Sequence, residues 1–181
     1  MHKVILSIDH GPSNTAWTAG IYIQPIKRLN TVSNVQTIGY VDTDYRERAN
    51  ETVRKDIATY AGWNNSGIAI SGIFLGHTAP NDVHDVRGYL KNVSATVRHS
   101  EGFLDPTIVV HNPGRVPDTN MTSYHADVTV VFEGEFRDMP DRKKLKAGLS
   151  DLKGRREDFA AVVHPYRAQS AEIGLEESST A

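Results

Sequence analysis

The chain has 181 residues, 39% hydrophobic and 23% charged, which is enough for one hydrophobic core and one domain. A formal net charge of −2 gives no basic field to recruit nucleic acid or an anionic membrane, and the absence of cysteine excludes disulfides and thiolate metal sites. No apolar run approaches the length of a membrane span, and the opening "MHKVILSIDH" is too short for a signal peptide, so the chain is expected to be soluble and to carry no visible address.

Six short apolar runs follow one another: 3–8 (KVILSI), 37–41 (TIGYV), 68–75 (IAISGIFL), 107–110 (TIVV), 128–133 (VTVVFE) and 159–164 (FAAVVH). Most are continuously apolar, as strands covered on both faces of a parallel sheet are. After the first run, Gly20 and Pro25 are expected to break or delay a helix in "AWTAGIYIQPIKRLN". Between the second and third runs, Val53, Ile57 and Tyr60 share a helical face that Gly62 would end. Tyr60 and Trp63 are expected in the core. Between the third and fourth, Val83, Val86, Leu90, Val93 and Val97 form a second stripe, with Asn81 after Pro80 as the expected N-cap. The basic stretch 142–158 places Leu145, Leu149 and Leu152 on one face, which reads as a solvated crossover helix. Residues 1–168 are expected to form a single domain, and the polar tail 169–181 to fray.

Strands alternating with helices fit either an open doubly wound sheet or part of a (β/α)8 barrel, which typically needs ~250 residues. In both, ligands sit at the carboxyl ends of the strands. Those ends carry Asp9 and His10, Asp42 and Asp44, Gly76 and His77, His111 and Asn112, Glu133 and Glu135, and His164. Paired carboxylates across a cleft are the equipment for glycoside hydrolysis, with Glu133 the best single candidate; a strand-capping or arginine-paired carboxylate is the plain alternative. The histidine spacing does not support a metal site, since there is no His-x-His and no His-Glu-x-x-His, and if Asn112 points into a site His111 points away. Tyr40 and Tyr45 bracket a strand end and offer faces on which a sugar can stack.

The segments "IGYVDTDYRERANETVRKDIATYAGW" (38–63), "DHGP" (9–12), "SGIFLGHTAP" (71–80), "VVHNPG" (109–114) and "ADVTVVFEGEF" (126–136) together resemble the spherulin-4 family, spherulation-specific family 4, in sequential order over residues 4–166. The resemblance implies a (β/α)8 barrel related to glycoside hydrolases of galactosaminogalactan-like polymers, with no metal or other cofactor. It also implies acids at the end of the Gly-Ile-Phe strand and a Glu at the end of the Val-Phe-Glu strand. The second is Glu133; the first fall on Gly76 and His77. His77, Asp42 or Asp44 is then the expected second catalytic group, and Tyr40, Tyr45, Arg48, Asn112 and Tyr124 the expected substrate-binding surface. Against the family the chain reads as an incomplete barrel of about six units lacking a first and a last strand, as a truncated gene model would be, and an upstream signal would make it secreted or cell-surface. The expected partner is a galactosamine or N-acetylgalactosamine polysaccharide; the alternative is a non-catalytic carbohydrate-binding or wall-associated structural protein.

Overall fold

The computed structural model describes residues 2–6, 16–121 and 125–164, with side chains from residue 23 onward. Its elements run β1 (His2–Leu6), α1 (Ala16–Asn30), β2 (Val35–Asp42), α2 (Asn50–Gly62), β3 (Gly72–Gly76), α3 (Val86–His99), β4 (Ile108–His111), β5 (Val128–Glu135), α4 (Arg142–Leu149) and β6 (Phe159–His164). All six expected strands form. They pair in parallel and in chain order, β1-β2-β3-β4-β5-β6. A doubly wound sheet reverses its strand order at a switch point; this sheet never does, so it winds in one direction as barrel-type sheets do.

Two apolar layers flank the sheet. On the helix-covered face, Val41, Ile73, Leu75 and Val109 meet Val53, Ile57 and Tyr60 of α2 and Val86, Leu90, Val93 and Val97 of α3. On the inner face Ile38, Phe74, Ile108, Val110 and Val130 form a second cluster, with Tyr40 and Val162 packed against it. Period-two alternation along each strand supplies both layers, which is why the runs read as continuously apolar. Helix α2 sits close enough for the Tyr60 ring to lie 2.7 Å from where a Cβ on Gly39 would be. Tyr60 also donates its hydroxyl to the Tyr40 carbonyl at 3.1 Å and packs edge-on against Trp63, so both aromatics are core residues.

Four sequence expectations are corrected. Helix α1 runs unbroken through Pro25, because the contacts made by buried Ile26, together with Asn30 bonding Ala69 O and Thr37, outweigh the lost backbone hydrogen bond. Strand β3 begins at Gly72 rather than residue 68, so Ile68–Ser71 is buried approach chain. Helix α3 starts at Val86, five residues past Asn81: Asp85 is the N-cap, accepting from Gly88 N, and Val83 is left 47% exposed. Helix α4 stops at Leu149, and Leu152, buried, packs from the turn beyond it. Among the described residues no helix is long and apolar enough to cross a membrane. The tail 169–181 lies outside the described residues.

Candidate functional site

The carboxyl ends of β2, β3 and β5 and the loop after β4 surround a cleft of about 620 Å³, into which Tyr45, Arg46, His77, His84, Arg115 and Glu133 project. One wall is built from the β2 and β3 ends. Thr43, fully buried, donates its N–H to Gly76 O at 3.0 Å, and its hydroxyl faces the carbonyls of Gly76 and His77 at 3.0 and 2.9 Å. The Tyr45 amide bonds His77 O at 2.7 Å. These bonds hold His77 at φ 47, a left-handed conformation that costs an L-residue ~1–2 kcal/mol. So held, His77 Nδ1 reaches Asp42 Oδ1 at 2.9 Å, while the Tyr45 ring tilts over the imidazole at 5.5 Å between centroids. The same Asp42 oxygen accepts from Asp44 N at 2.9 Å. With Nδ1 engaged, Nε2 is the imidazole nitrogen left for a ligand.

The opposite wall depends on a bulge. Between β5 and β6 the pairing steps from Val130↔Ala160 to Phe132↔Ala161, so Val131 is an extra residue. Strict alternation from inward-facing Val130 would send Glu133 to the helix side; one inserted residue turns it inward. Glu133 Oε2 accepts from Asn112 Nδ2 at 2.7 Å, and Oε1 lies 3.2 Å from His164 Nε2. Asn112 is itself fixed, its Oδ1 accepting from Gly114 N at 3.0 Å while Gly114 O accepts from Glu133 N at 2.9 Å.

Between the walls lies Gly76. A Cβ there would overlap the hydroxyl and ring of Tyr40, which reaches diagonally across from β2 after stacking on Phe74. Burial, then the negative charges of Asp42 and Glu133, push the Tyr40 phenol up to about 12, so it is a neutral hydrogen-bond donor at physiological pH.

Of the residues expected from sequence, Tyr45, His77 and Glu133 line the cleft, Asp42 and Asn112 stand behind it on His77 and Glu133, and Tyr40 is near enough to Asp42 and Glu133 for their charges to act on its phenol. Two are placed elsewhere. Asp44 is exposed and does not line the cleft, because the chain turns at Thr43 and only its amide faces inward. The Arg48 guanidinium is spent on Asp42 O at 2.6 Å and Asp56 Oδ2 at 2.7 Å, bracing the wall from behind. Tyr124 and Asp9 lie outside the described residues. His111 points to the helix face, bonded to Ser94 at 2.8 Å, and burial, with His125 and Arg98 nearby, lowers its pKa to about 3. Among the described residues no cluster of three or more histidines and carboxylates fits a metal ion. Sequence reasoning missed the cleft cations Arg46 and Arg115 and the contact of His164 with Glu133, which depend on loop paths and cross-strand reach.

A model of spherulation-specific family 4 matches residues 1–179. The chain belongs to that family. Spherulin-4 of Physarum polycephalum is 25% identical over 164 residues, covering 88% of this chain and 46% of its own. A crystal structure of Aspergillus clavatus Sph3 in complex with GalNAc matches with a TM-score of 0.77 and 32% identity over 90% of this chain and 65% of that one. This family member therefore spans about half of the curated relative and just under two thirds of the solved chain. The Sph3 likeness bears out the sequential parallel β/α architecture.

Proposed function

We propose that this member of spherulation-specific family 4 binds a glycan of galactosamine or N-acetylgalactosamine units in the strand-end cleft of a (β/α)8-type fold, and that its hydrolytic equipment is impaired. The observation that carries the binding reading is the match, over 90% of the chain, to an Sph3 structure that holds GalNAc. Glu133, oriented by Asn112, supplies one carboxylate. Glycoside hydrolysis needs a second carboxyl group about 5–10 Å away, and losing a positioned acid or base costs ~10²–10⁴ in rate. At Gly76 there is no side chain, and Tyr40 fills its space. A protonated phenol donates hydrogen bonds to sugar hydroxyls, but it is a far weaker proton donor than a carboxylic acid.

A second reading, an active hydrolase, is favoured by one contact. Asp42 orients His77 at 2.9 Å, and His77 lines the same cleft as Glu133, so a carboxylate-backed imidazole stands where it could activate water. Calorimetry with galactosamine and N-acetylgalactosamine oligosaccharides, alongside an assay for new reducing ends, tests both readings. Binding without turnover supports the first. Turnover abolished by Glu133→Gln and by His77→Ala establishes the second. Failure of any amino-sugar oligomer to bind overturns both.

A further inference from the structure

We infer that His164, on the last strand, is the positioning residue of Glu133, fixing the carboxylate oxygen on which a proton is gained or lost. The inference rests on the glycan-cleft reading for its functional part alone. Glu133 Oε2 faces the Asn112 amide nitrogen, and the orientation of that amide is set by Gly114 N on Asn112 Oδ1. An amide nitrogen only donates. Oε2 is therefore an acceptor whether Glu133 is ionised or protonated, and any proton on Glu133 belongs on Oε1.

Oε1 is the oxygen that faces His164 Nε2, at 3.2 Å. An imidazole nitrogen can take either side of that bond: Nε2–H donates to the ionised carboxylate, and neutral Nε2 accepts from the protonated acid. His164 thus holds the carboxylate plane in one orientation through a change of charge, which a lysine or arginine could not do. The geometry comes from the sheet. His164 pairs with Glu135 and is the diagonal neighbour of Glu133; it faces inward in step with Ala160 and Val162, and Glu133 meets it there because Val131 is bulged out of register. The two side chains are 53% and 29% exposed, so as a bare ion pair they contribute little to stability. What the contact supplies is direction.

The test compares wild type with His164→Ala, His164→Gln and Glu133→Gln and has two arms. In the first, side-chain NMR of the unliganded protein follows the Glu133 carboxyl carbon and the imidazole nitrogens. Glu133→Gln should shift the His164 signals and leave those of His77 in place, and His164→Ala should shift the Glu133 carboxyl. In the second, His164→Ala should weaken amino-sugar binding about tenfold, the scale of one hydrogen bond to a charged group, while His164→Gln, which keeps an N–H donor, should restore most of it. In the Glu133→Gln background His164→Ala should add no further loss. An equal loss in both backgrounds, or His164 signals indifferent to Glu133→Gln, overturns the inference. A wild type that binds no amino sugar refutes the glycan reading, and the NMR arm then decides the His164–Glu133 relationship by itself.

Discussion

The hydroxyl of Tyr40 stands where a side chain on Gly76 would have to be, although the two residues lie on different strands and 36 positions apart. The pair is one unit: the phenol can hold this position only while position 76 has no Cβ. Gly76→Asp alone should therefore cost ~1–3 kcal/mol, the range for overpacking a filled site, because ring carbons as well as the hydroxyl must move. In the Tyr40→Ala background the same Gly76→Asp change should cost much less than it does in wild type, as urea unfolding of both single variants and the double would show. Under the impaired-hydrolase reading, any gain in oligosaccharide cleavage should appear in the double variant and not in Gly76→Asp.

Asn112 bridges the loop after β4 to Glu133, and it is almost wholly buried. Asn112→Ala leaves both the Glu133 oxygen and Gly114 N without their partner, at a cost of ~1–3 kcal/mol. Asn112→Asp should do more damage at pH 7, since two carboxylates would meet where an amide now donates. Measured against wild type at the same pH, that variant's deficit should shrink on going to pH 5, as the two groups come to share a proton. Unfolding curves at both pH values measure the difference; equal stability of the two variants at pH 7 would contradict the geometry.

Tyr60 presses on β2 at Gly39, one residue before Tyr40, and donates to the Tyr40 carbonyl, so the packing of α2 fixes the backbone that carries Tyr40. Gly39→Ala would put a methyl against the Tyr60 ring. A loss of ~1–3 kcal/mol is expected. Tyr60→Leu, by removing the ring, should make the same Gly39→Ala change nearly neutral, which thermal unfolding of the four proteins in the cycle would show.

His111 gives the protein a pH dependence of known sign. Its folded pKa is lowered from 6.5 to about 3, so between these values the unfolded chain binds a proton that the folded one does not. Stability from this group is fully present above pH 6.5 and is lost as the pH falls toward 3. Going from pH 6.5 to pH 5 should remove about 2 kcal/mol. Replacing the buried pair together, His111→Leu with Ser94→Ala, should flatten that part of the profile, and an unchanged slope would show that His111 is not the group responsible.

Much of the framework was written locally. Continuous apolar runs placed all six strands, and the spacing of Val53, Ile57 and Tyr60 placed α2 with its end at Gly62. These signals survive in one dimension because a strand or an amphipathic helix repeats its burial every two or 3.6 residues. Where local chemistry competed with tertiary contact, the local reading failed. Pro25 sits inside α1, and the α3 cap moved from Asn81 to Asp85, because burial of Ile26 and of the Val86 to Val97 stripe decides where those helices lie.

By itself, then, the sequence determined where the strands lie along the chain, the residues at their carboxyl ends and the family. Only the tertiary structure decided which of those residues meet. The bulge at Val131 turns Glu133 inward, the left-handed backbone at His77 carries its imidazole to Asp42, and Tyr40 and His164 act diagonally on residues of the next strand. Register, a single inserted residue and cross-strand reach are properties of paired strands. They leave no period in either strand alone.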